Sequence, residues 1–166
     1  MPATPFVKTV LGDTPYIVSF SDDLGHTWSA DEPTEVGGGN TATSPDRLIL
    51  AGLGACTAIT LRMVAARRQI PLAGVEVELQ LNPDGKPEAG NDIVRKILLQ
   101  GALSDAERAQ LLKVANACPM HKLLTGEIRV HTGTVSTITR GAFTRQVGGG
   151  GVKVWVDAPG GDVQVR

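Results

Sequence analysis

The chain has 166 residues, of which 42% are hydrophobic and 20% are charged, and its formal net charge is −1. This length and composition are typical of one globular domain that buries a sizeable core and needs no metal or disulfide to stabilise it. The nearly balanced charge argues against nucleic acid as a main partner, because nucleic-acid-binding domains usually present a basic face. At the start of the chain no basic segment precedes an apolar run, so we expect no signal peptide and a cytoplasmic protein.

Three β-rich segments follow and predict an antiparallel meander. They cover residues 6–11, 16–21 and 26–30, and each gap between them contains turn-forming Gly, Asp or Pro. The Gly-Gly-Gly-Asn run at residues 37–40 ends this pattern and predicts a mobile loop.

A strong helix signal begins at Ser44. Serine is a favoured N-cap, Pro45 suits the first helical position, and Asp46 falls in the first turn, where the helix dipole favours an acid. Arg67 suits the C-terminal turn, and Pro71 ends the pattern. The sequence therefore predicts one long helix between these limits.

The apolar residues of this helix surround it. One face, at spacings of three and four, carries Leu48, Gly52, Cys56, Ile59 and Met63. From residue 48 to residue 61 the other faces are also apolar or small, which predicts a helix buried nearly all round. This uncharged stretch of 14 residues is too short to span a bilayer, so we expect a core helix and no membrane association.

A hairpin and two shorter helices are predicted next. Residues 75–81 and 92–100 read as two strands joined by a loop rich in Pro, Asp and Gly. Ser104 opens a capping-box pattern, Ser-Asp-Ala-Glu, that predicts a helix to about residue 116. Cys118 precedes Pro119 and is the expected N-cap of a short helix that ends near residue 124.

The segments after residue 126 have weaker periodicity than those before it. Residues 127–132 read as a closing strand. The glycine run at 148–151 is typical of a flexible linker, and a small hairpin is predicted at 152–165, with strands at 152–156 and 163–165.

The two cysteines are the candidates for chemistry. Cys56 lies on the apolar helix, where a free cysteine is often only a small core hydrophobe. Cys118 at a helix N-terminus has free N–H groups and a dipole that favour the thiolate, and His121 follows on the same side of the helix. A capping cysteine beside a surface histidine is the structural alternative.

Other site classes are weaker. Cys118 and His121 have the spacing of metal ligands, but a structural zinc site wants four ligands, so we expect no metal. The chain also lacks a Walker phosphate loop, a dinucleotide-binding glycine fingerprint and a Gly-x-Ser-x-Gly nucleophile elbow.

The segments around both cysteines resemble the two cysteine motifs of the OsmC/Ohr family, the osmotically inducible and organic hydroperoxide resistance proteins. The first covers residues 44–62 and holds Gly-Ala-Cys-Thr around Cys56, and the second covers residues 116–124, Asn-Ala-Cys-Pro-Met-His-Lys-Leu-Leu, around Cys118. The two cysteines stand in the family's order, 62 positions apart. With the preceding meander, the resemblance covers about residues 5–133.

This resemblance implies an α+β fold in which two buried central helices are wrapped by antiparallel β-sheets. It also implies an intertwined homodimer with active sites at the subunit interface. The OsmC-like domain would span residues 1–133, and residues 134–166 would form a C-terminal extension.

The activity implied by the resemblance is a cysteine-based reduction of organic hydroperoxides to alcohols. Cys56 would be the peroxidatic cysteine, Cys118 would be the resolving cysteine, and Asp46 would occupy the position of the family's acid partner. An external dithiol, of the lipoyl type in the family, would reduce the resulting disulfide, and no bound cofactor is implied. The residues expected to contact the peroxide in an apolar pocket are Gly52, Ile59 and His121.

One departure from the family leaves an alternative open. Family members use an arginine from the N-terminal region to hold the thiolate, and here no arginine precedes Arg47. On a straight helix Arg47 and Arg62 lie off the Cys56 face, and Arg67 lies about 16 Å from Cys56 along the axis. The alternative is therefore an OsmC-fold protein without peroxidase activity, which binds an apolar small molecule at the dimer interface.

Overall fold

The computed structural model of the chain describes residues 5–130, 132, 142–147 and 151–156. In these residues a three-stranded sheet, a two-stranded sheet and a hairpin, all antiparallel, combine with three α-helices. The strands are β1 (Val7–Leu11), β2 (Val18–Asp22), β3 (Thr27–Ala30), β4 (Gly74–Leu81), β5 (Ile93–Gln100), β6 (Ala142–Val147) and β7 (Gly151–Val156). The helices are α1 (Pro45–Arg67), α2 (Asp105–Ala115) and α3 (Pro119–Thr125). This mixture confirms the predicted α+β class.

The chain divides into two compact units, Met1–Thr125 and Gly126–Arg166. The first unit contains β1 to β5 and all three helices, together with both cysteines. The second contains β6 and β7. The domain boundary predicted between residues 133 and 134 stays a prediction.

The predicted meander is confirmed as β1–β2–β3, in that order across one sheet. Phe20 on β2 lies opposite Trp28 on β3, and their rings stack with centroids 5.3 Å apart. Every residue of β1 is exposed, including Val7, Val10 and Leu11. The sheet therefore has apolar surface that residues 5–125 do not cover.

Hydrogen bonds to Asp31 hold the glycine-rich segment after β3 in place, which corrects the expectation of a mobile loop. Asp31 is buried, and its carboxylate accepts hydrogen bonds from the N–H and hydroxyl of Thr41, at 2.9 and 2.8 Å, and from the N–H groups of Gly39 and Glu32. These bonds, with those from Thr41 the strongest, hold the pKa of Asp31 below its usual range. At Gly38 a Cβ would lie 1.9 Å from the Glu32 carbonyl oxygen, so the close backbone approach requires glycine.

Helix α1 has the predicted limits, with Ser44 as N-cap and Pro45 in the first turn. The Ser44 hydroxyl bonds the Asp46 carboxylate and accepts a hydrogen bond from Arg47, instead of accepting one from a backbone N–H. The capping box predicted at Ser104 is present in full at the start of α2. Local capping chemistry thus places both helices correctly.

The prediction that α1 is buried nearly all round is wrong for the single chain. Only Leu53, Thr57, Leu61 and Ala65 are fully buried, in one stripe along the helix that we call the buried stripe. Outside it, Ile49, Ile59 and Met63 are 54%, 59% and 50% exposed. The reason is that β4, α2 and α3 pack against α1 from the buried side, and no other element within residues 5–125 packs closely on the rest.

By length and hydropathy alone, α1 is also apolar enough to cross a membrane, with a mean hydropathy of 1.8. A core helix passes the same test, because it too is apolar for most of its length. The packing of α1 against a sheet and two helices accounts for the apolar residues of the buried stripe only, since 22% of its most apolar 18-residue window is buried.

The hydrophobic core lies where the buried stripe meets α2 and the β4–β5 sheet. Three of its partly buried neighbours, Val75, Ile97 and Leu99, come from the inward faces of these strands, where Val75 pairs with Leu99 in the ladder. The buried members of the core are Leu61, Ala65, Ile70, Leu72, Leu111 and Ala115.

The predicted closing strand at 127–132 is wrong in its described part, since residues 127–130 and 132 form no strand. No ladder partner is present for it among the described residues, and its Arg129 instead pairs with Glu127 at 2.8 Å. Further on, the predicted strand at 152–156 is confirmed within β7, which pairs with β6. The other predicted strand, 163–165, and most of the glycine run, 148–150, lie outside the described residues.

Candidate functional site

The structure brings the two cysteines together. Cys56 lies in the middle of α1 and is half-buried, and Cys118 lies directly before α3 and is fully buried. Both are free thiols, and Cys56 lies near enough to be one of the smaller causes that lower the pKa of Cys118. A pair separated by 62 positions along the sequence thus becomes one site.

Cys118 holds the N-cap position of α3, as predicted. The backbone N–H of His121 donates to the Cys118 Sγ at 3.3 Å. The Cys118 carbonyl accepts from the backbone N–H of Lys122 at 3.1 Å, which closes the first turn. The sulfur therefore accepts the capping hydrogen bond that a serine or threonine oxygen accepts at other N-caps.

Thr57 connects the two cysteine segments. It follows Cys56 on α1, belongs to the buried stripe, and places its Oγ1 3.8 Å from the Cys118 Sγ. The same oxygen donates to the Leu53 carbonyl at 2.7 Å. One buried hydroxyl therefore contacts both the helix backbone and the buried thiol.

Arg95 is the residue of this site that the sequence reasoning missed. It lies on β5, and its Nη1 donates to the Thr57 Oγ1 at 2.9 Å while its Nη2 donates to the Asn116 Oδ1 at 2.8 Å. A signal was present, because Arg95 interrupts the half-buried positions of β5, which are otherwise Ile93, Ile97 and Leu99. A charged residue on the inward face of an alternating strand is unusual without a polar partner.

The surroundings of Cys118 change its ionisation. Burial raises the pKa of the thiol, but the hydrogen bond from the His121 N–H lowers it, with smaller contributions from Thr57, Cys56 and the Arg95 charge. The balance leaves the pKa of Cys118 below the ordinary value of a cysteine. Cys118 is therefore disposed to act as a thiolate.

The remaining residues predicted for the site lie around it at different distances. His121 contacts Cys118 through its backbone, as described, and Gly52 and Ile59 lie on the Cys56 side of α1, Ile59 largely exposed. Asp46 lies in the first turn of α1, ten residues before Cys56 and so about 15 Å away along the helix axis. Their roles toward a substrate stay predictions, and within residues 5–130 Asp46 does not reach the thiols.

The small residues near Cys56 have a structural role that the sequence left undecided. A Cβ at Gly54 would lie 3.0 Å from the Leu79 Cδ1, so glycine allows β4 to pack closely on α1. At Gly52 a Cβ would meet nothing within 4 Å. Gly54 is therefore explained by packing, and Gly52 leaves open space beside the helix.

A groove of about 920 Å³ lies between α1 and β4, with Asp46 and Arg47 at one end and apolar side chains such as Leu50 and Leu79 along it. Its α1 residues lie on the side opposite Cys56, which does not line it. Arg47 is engaged with Ser44 at 2.6 Å, and Arg62 donates to the Leu72 carbonyl. These two arginines are thus occupied away from the thiols.

Among the residues that the structure describes, no three His, Cys, Asp or Glu side chains are grouped to hold a metal ion. His121 approaches Cys118 only with its backbone N–H in the contacts at this site. The site therefore offers thiol chemistry and hydrogen-bond donors.

Comparison with known proteins adds to this geometry. A family model described as "OsmC-like protein" matches residues 37–133. Among solved structures, an organic hydroperoxide resistance protein OsmC from Legionella pneumophila is 26% identical, with 76% of this chain and 92% of that chain covered and a TM-score of 0.56. An OsmC-like protein from Mycoplasma pneumoniae, 20% identical, covers 76% of this chain and 90% of that chain with a TM-score of 0.64.

An organic hydroperoxide resistance protein from Elizabethkingia anophelis shares the fold at 20% identity, with 76% of this chain and 91% of that chain covered and a TM-score of 0.58. No curated protein sequence matches the chain. The matched segment, 37–133, contains both cysteines and the whole of the site described above.

Proposed function

The chain belongs to the OsmC-like protein family, and from this premise we propose that it is a thiol-dependent peroxidase that reduces organic hydroperoxides to alcohols. The observation that carries the proposal is the nearness of a half-buried Cys56 to a fully buried Cys118 whose pKa is lowered. A peroxidatic and a resolving cysteine need this difference in exposure, because only the first must meet the peroxide. The similarity to the Legionella pneumophila organic hydroperoxide resistance protein supports the same activity.

In the first step, the Cys56 thiolate attacks the outer oxygen of the hydroperoxide. The O–O bond breaks, Cys56 becomes a sulfenic acid, and the released alkoxide takes up a proton to give the alcohol. The sulfur loses the two electrons that the peroxide gains. Cys56 has this role in the proposal because it is the more accessible thiol.

In the second step, the Cys118 thiolate attacks the sulfenic sulfur of Cys56. A disulfide forms, and the hydroxide that leaves takes up a proton to become water. The lowered pKa of Cys118 supports this role, since it keeps a larger fraction of the thiol ionised. No bound cofactor is needed for either step.

An external dithiol closes the cycle in this proposal. Its first thiolate attacks the Cys56 sulfur and displaces the Cys118 thiolate, because Cys56 is the accessible sulfur and a thiol of lowered pKa leaves readily. Its second thiol then breaks the mixed disulfide. Two protein thiols and one oxidised reductant result, so the electrons balance.

The proposed substrate is a small organic hydroperoxide with an apolar body. The surface of α1 near Cys56 is apolar, with Ile59 and Met63 both at least half exposed. Open space at Gly52, one turn before Cys56, would let an organic chain lie along the helix. Burial of that chain would favour organic peroxides over hydrogen peroxide.

We also propose that the protein is a homodimer. The uncovered apolar surface of α1 and of β1, including Ile49 and Val10, supports it, because monomers rarely leave such surfaces contiguous and bare. Light scattering after size-exclusion chromatography is expected to give twice the chain mass of 17.4 kDa. A particle of single-chain mass at micromolar concentration would contradict the proposal.

The function is tested by counting thiols after a single oxidation. We expect reduced protein treated with one equivalent of an organic hydroperoxide to lose both of its thiols rapidly, since the Cys56–Cys118 disulfide consumes two. Intact mass under denaturing, non-reducing conditions should fall by two hydrogens within one chain. The same treatment with hydrogen peroxide is the matched control and should react more slowly.

Two other outcomes have defined meanings. If both thiols stay free after minutes with organic hydroperoxide, the peroxidase proposal fails and the alternative gains support: an OsmC-fold protein that binds an apolar molecule. If the oxidised species has the mass of two linked chains, the proposed pairing within one chain is wrong.

A further inference from the structure

Arg95 places a positive charge beside the buried part of the thiol site. It stands on the inward face of β5, and both of its terminal nitrogens are used, one on Thr57 and one on Asn116. Within residues 5–130 no carboxylate pairs with it, whereas its strand neighbour Lys96 pairs with Glu78 at 3.3 Å. The Arg95 charge is thus not neutralised by an acid in that part of the chain.

We propose that Arg95 is the cation of this thiol site and acts as a positioning residue, holding the Thr57 hydroxyl against Cys118 so that it stabilises the Cys118 thiolate. The two-point attachment to Thr57 and Asn116 fixes the guanidinium between α1 and the segment that leads to α3. The cation near Cys118 comes from a strand, and residues 1–46 contain no arginine.

The hydrogen-bonding capacity of Thr57 explains how Arg95 acts through it. A hydroxyl has one proton and two lone pairs. Arg95 donates to one lone pair, and the Leu53 carbonyl, which can only accept, takes the proton, so the second lone pair is left for the S–H of Cys118. A protonated Cys118 donates to Thr57. When Cys118 ionises, the Thr57 hydroxyl turns its proton from the Leu53 carbonyl to the thiolate. A cationic donor on the same oxygen polarises the hydroxyl and makes it the better donor, which favours the ionised state.

This arrangement serves the two steps in which Cys118 carries negative charge. Cys118 attacks the Cys56 sulfenic acid as a thiolate, and it leaves as a thiolate when an external dithiol attacks Cys56. In both steps the charge develops beside Thr57 and within the field of Arg95. Arg95 itself touches neither the peroxide nor a reacting sulfur in the contacts described.

The proposal is tested by titrating the thiolate of Cys118 through its ultraviolet absorbance. The background is reduced Cys56→Ser protein, in which Cys118 is the single remaining cysteine. Subtracting the Cys56→Ser/Cys118→Ser protein removes the absorbance of Tyr16. The titratable groups around Cys118 are Cys56 from α1, Arg95 from β5 and His121 from α3, and only Arg95 is varied.

In this background we expect Arg95→Met to move the midpoint to higher pH and to lower the thiolate fraction below the midpoint about three- to tenfold. Arg95→Lys should recover part of the loss, because it restores the charge without the two-point attachment. Lys96→Met is the matched control, since it removes a cation from the outward face of the same strand and should titrate like its parent.

Thr57→Val separates action through the hydroxyl from a general effect of charge. It should shift the midpoint in the same direction, and Arg95→Met added to it should shift the midpoint little further. The proposal is overturned if Arg95→Met titrates like its parent, if Lys96→Met shifts the midpoint as far, or if the Thr57 and Arg95 effects simply add. Thr57→Val and Arg95→Lys keep the test available if Arg95→Met does not fold.

The role of Arg95 in turnover rests on the proposed function. The titration that tests the effect of Arg95 on Cys118 does not depend on that function. The titration uses reduced protein without peroxide. A protein whose thiols ignore hydroperoxide but whose Cys118 titration responds to Arg95 would refute the function and leave this inference standing. Normal turnover of peroxide, together with a Cys118 titration that does not change in Arg95→Met, would support the function and refute the inference about Arg95.

Discussion

Serine in place of Cys56 is expected to abolish the consumption of organic hydroperoxide, by about three orders of magnitude or more relative to the parent protein. Serine keeps nearly the same volume in a helix that is only half-buried at this position, so the fold should persist. What disappears is the nucleophile, because a serine hydroxyl does not ionise near neutral pH. The measurement is the rate of hydroperoxide loss with excess dithiol present.

Cys118→Ser is the informative counterpart of that variant. It should consume one equivalent of hydroperoxide and then stop, with a sulfenic acid on Cys56 that a sulfenic-acid-specific reagent can label. Burial of Cys118 is the reason, since the remaining thiol is the one that a peroxide can reach. Full turnover by Cys56→Ser would refute the proposed mechanism. If Cys118→Ser fails to consume even the first equivalent of hydroperoxide while Cys56→Ser consumes it, the two roles are exchanged.

Leu61→Ala is expected to lower the free energy of unfolding by about 2–5 kcal/mol. Leu61 is fully buried and lies at the centre of the core, between the buried stripe of α1 and Leu111 of α2. Truncation removes its apolar contacts and leaves a cavity that the packed helix and sheet refill only in part. Urea unfolding at one fixed chain concentration measures the change, because any association of chains makes stability concentration-dependent.

The control for this variant is Leu24→Ala. Leu24 is 76% exposed in the turn between β2 and β3, so its truncation should change stability by no more than about 0.5 kcal/mol. Equal losses in the two variants would mean that the core does not lie where α1, α2 and the β4–β5 sheet meet.

The parts of this structure that could be predicted from sequence are those determined by neighbours along the chain. Ser44, Pro45 and the capping box at Ser104 locate helix starts by local hydrogen bonding and backbone restriction, and both helices begin where these signals lie. The strands of the meander and of β4–β5 follow from alternation and turn residues. The role of Cys118 as an N-cap was predictable for the same reason.

The parts that could not be predicted depend on what packs across from a residue. Periodicity identified the apolar faces of α1 but not which of them this chain covers, so Ile59 and Met63 were expected to be buried. The cation was sought along the helix near Cys56, whereas Arg95 reaches the site from a strand 39 residues further on. A charged Arg95 among Ile93, Ile97 and Leu99 marks the strand as unusual. Only the packing of the sheet against α1 shows that Arg95 donates a hydrogen bond to Thr57.

The buried stripe of α1 has a consequence for how this protein can change. Thr57, which contacts the buried thiol, lies one turn from Leu53 and one turn from Leu61, so a single row of side chains serves both reactivity and cohesion. Selection for closer core packing and selection for a more reactive thiol therefore act on the same row of side chains and constrain each other. The exposed residues Ile59 and Met63 lie outside this row, so mutations at these positions can change what the protein binds with less effect on the buried thiol of Cys118.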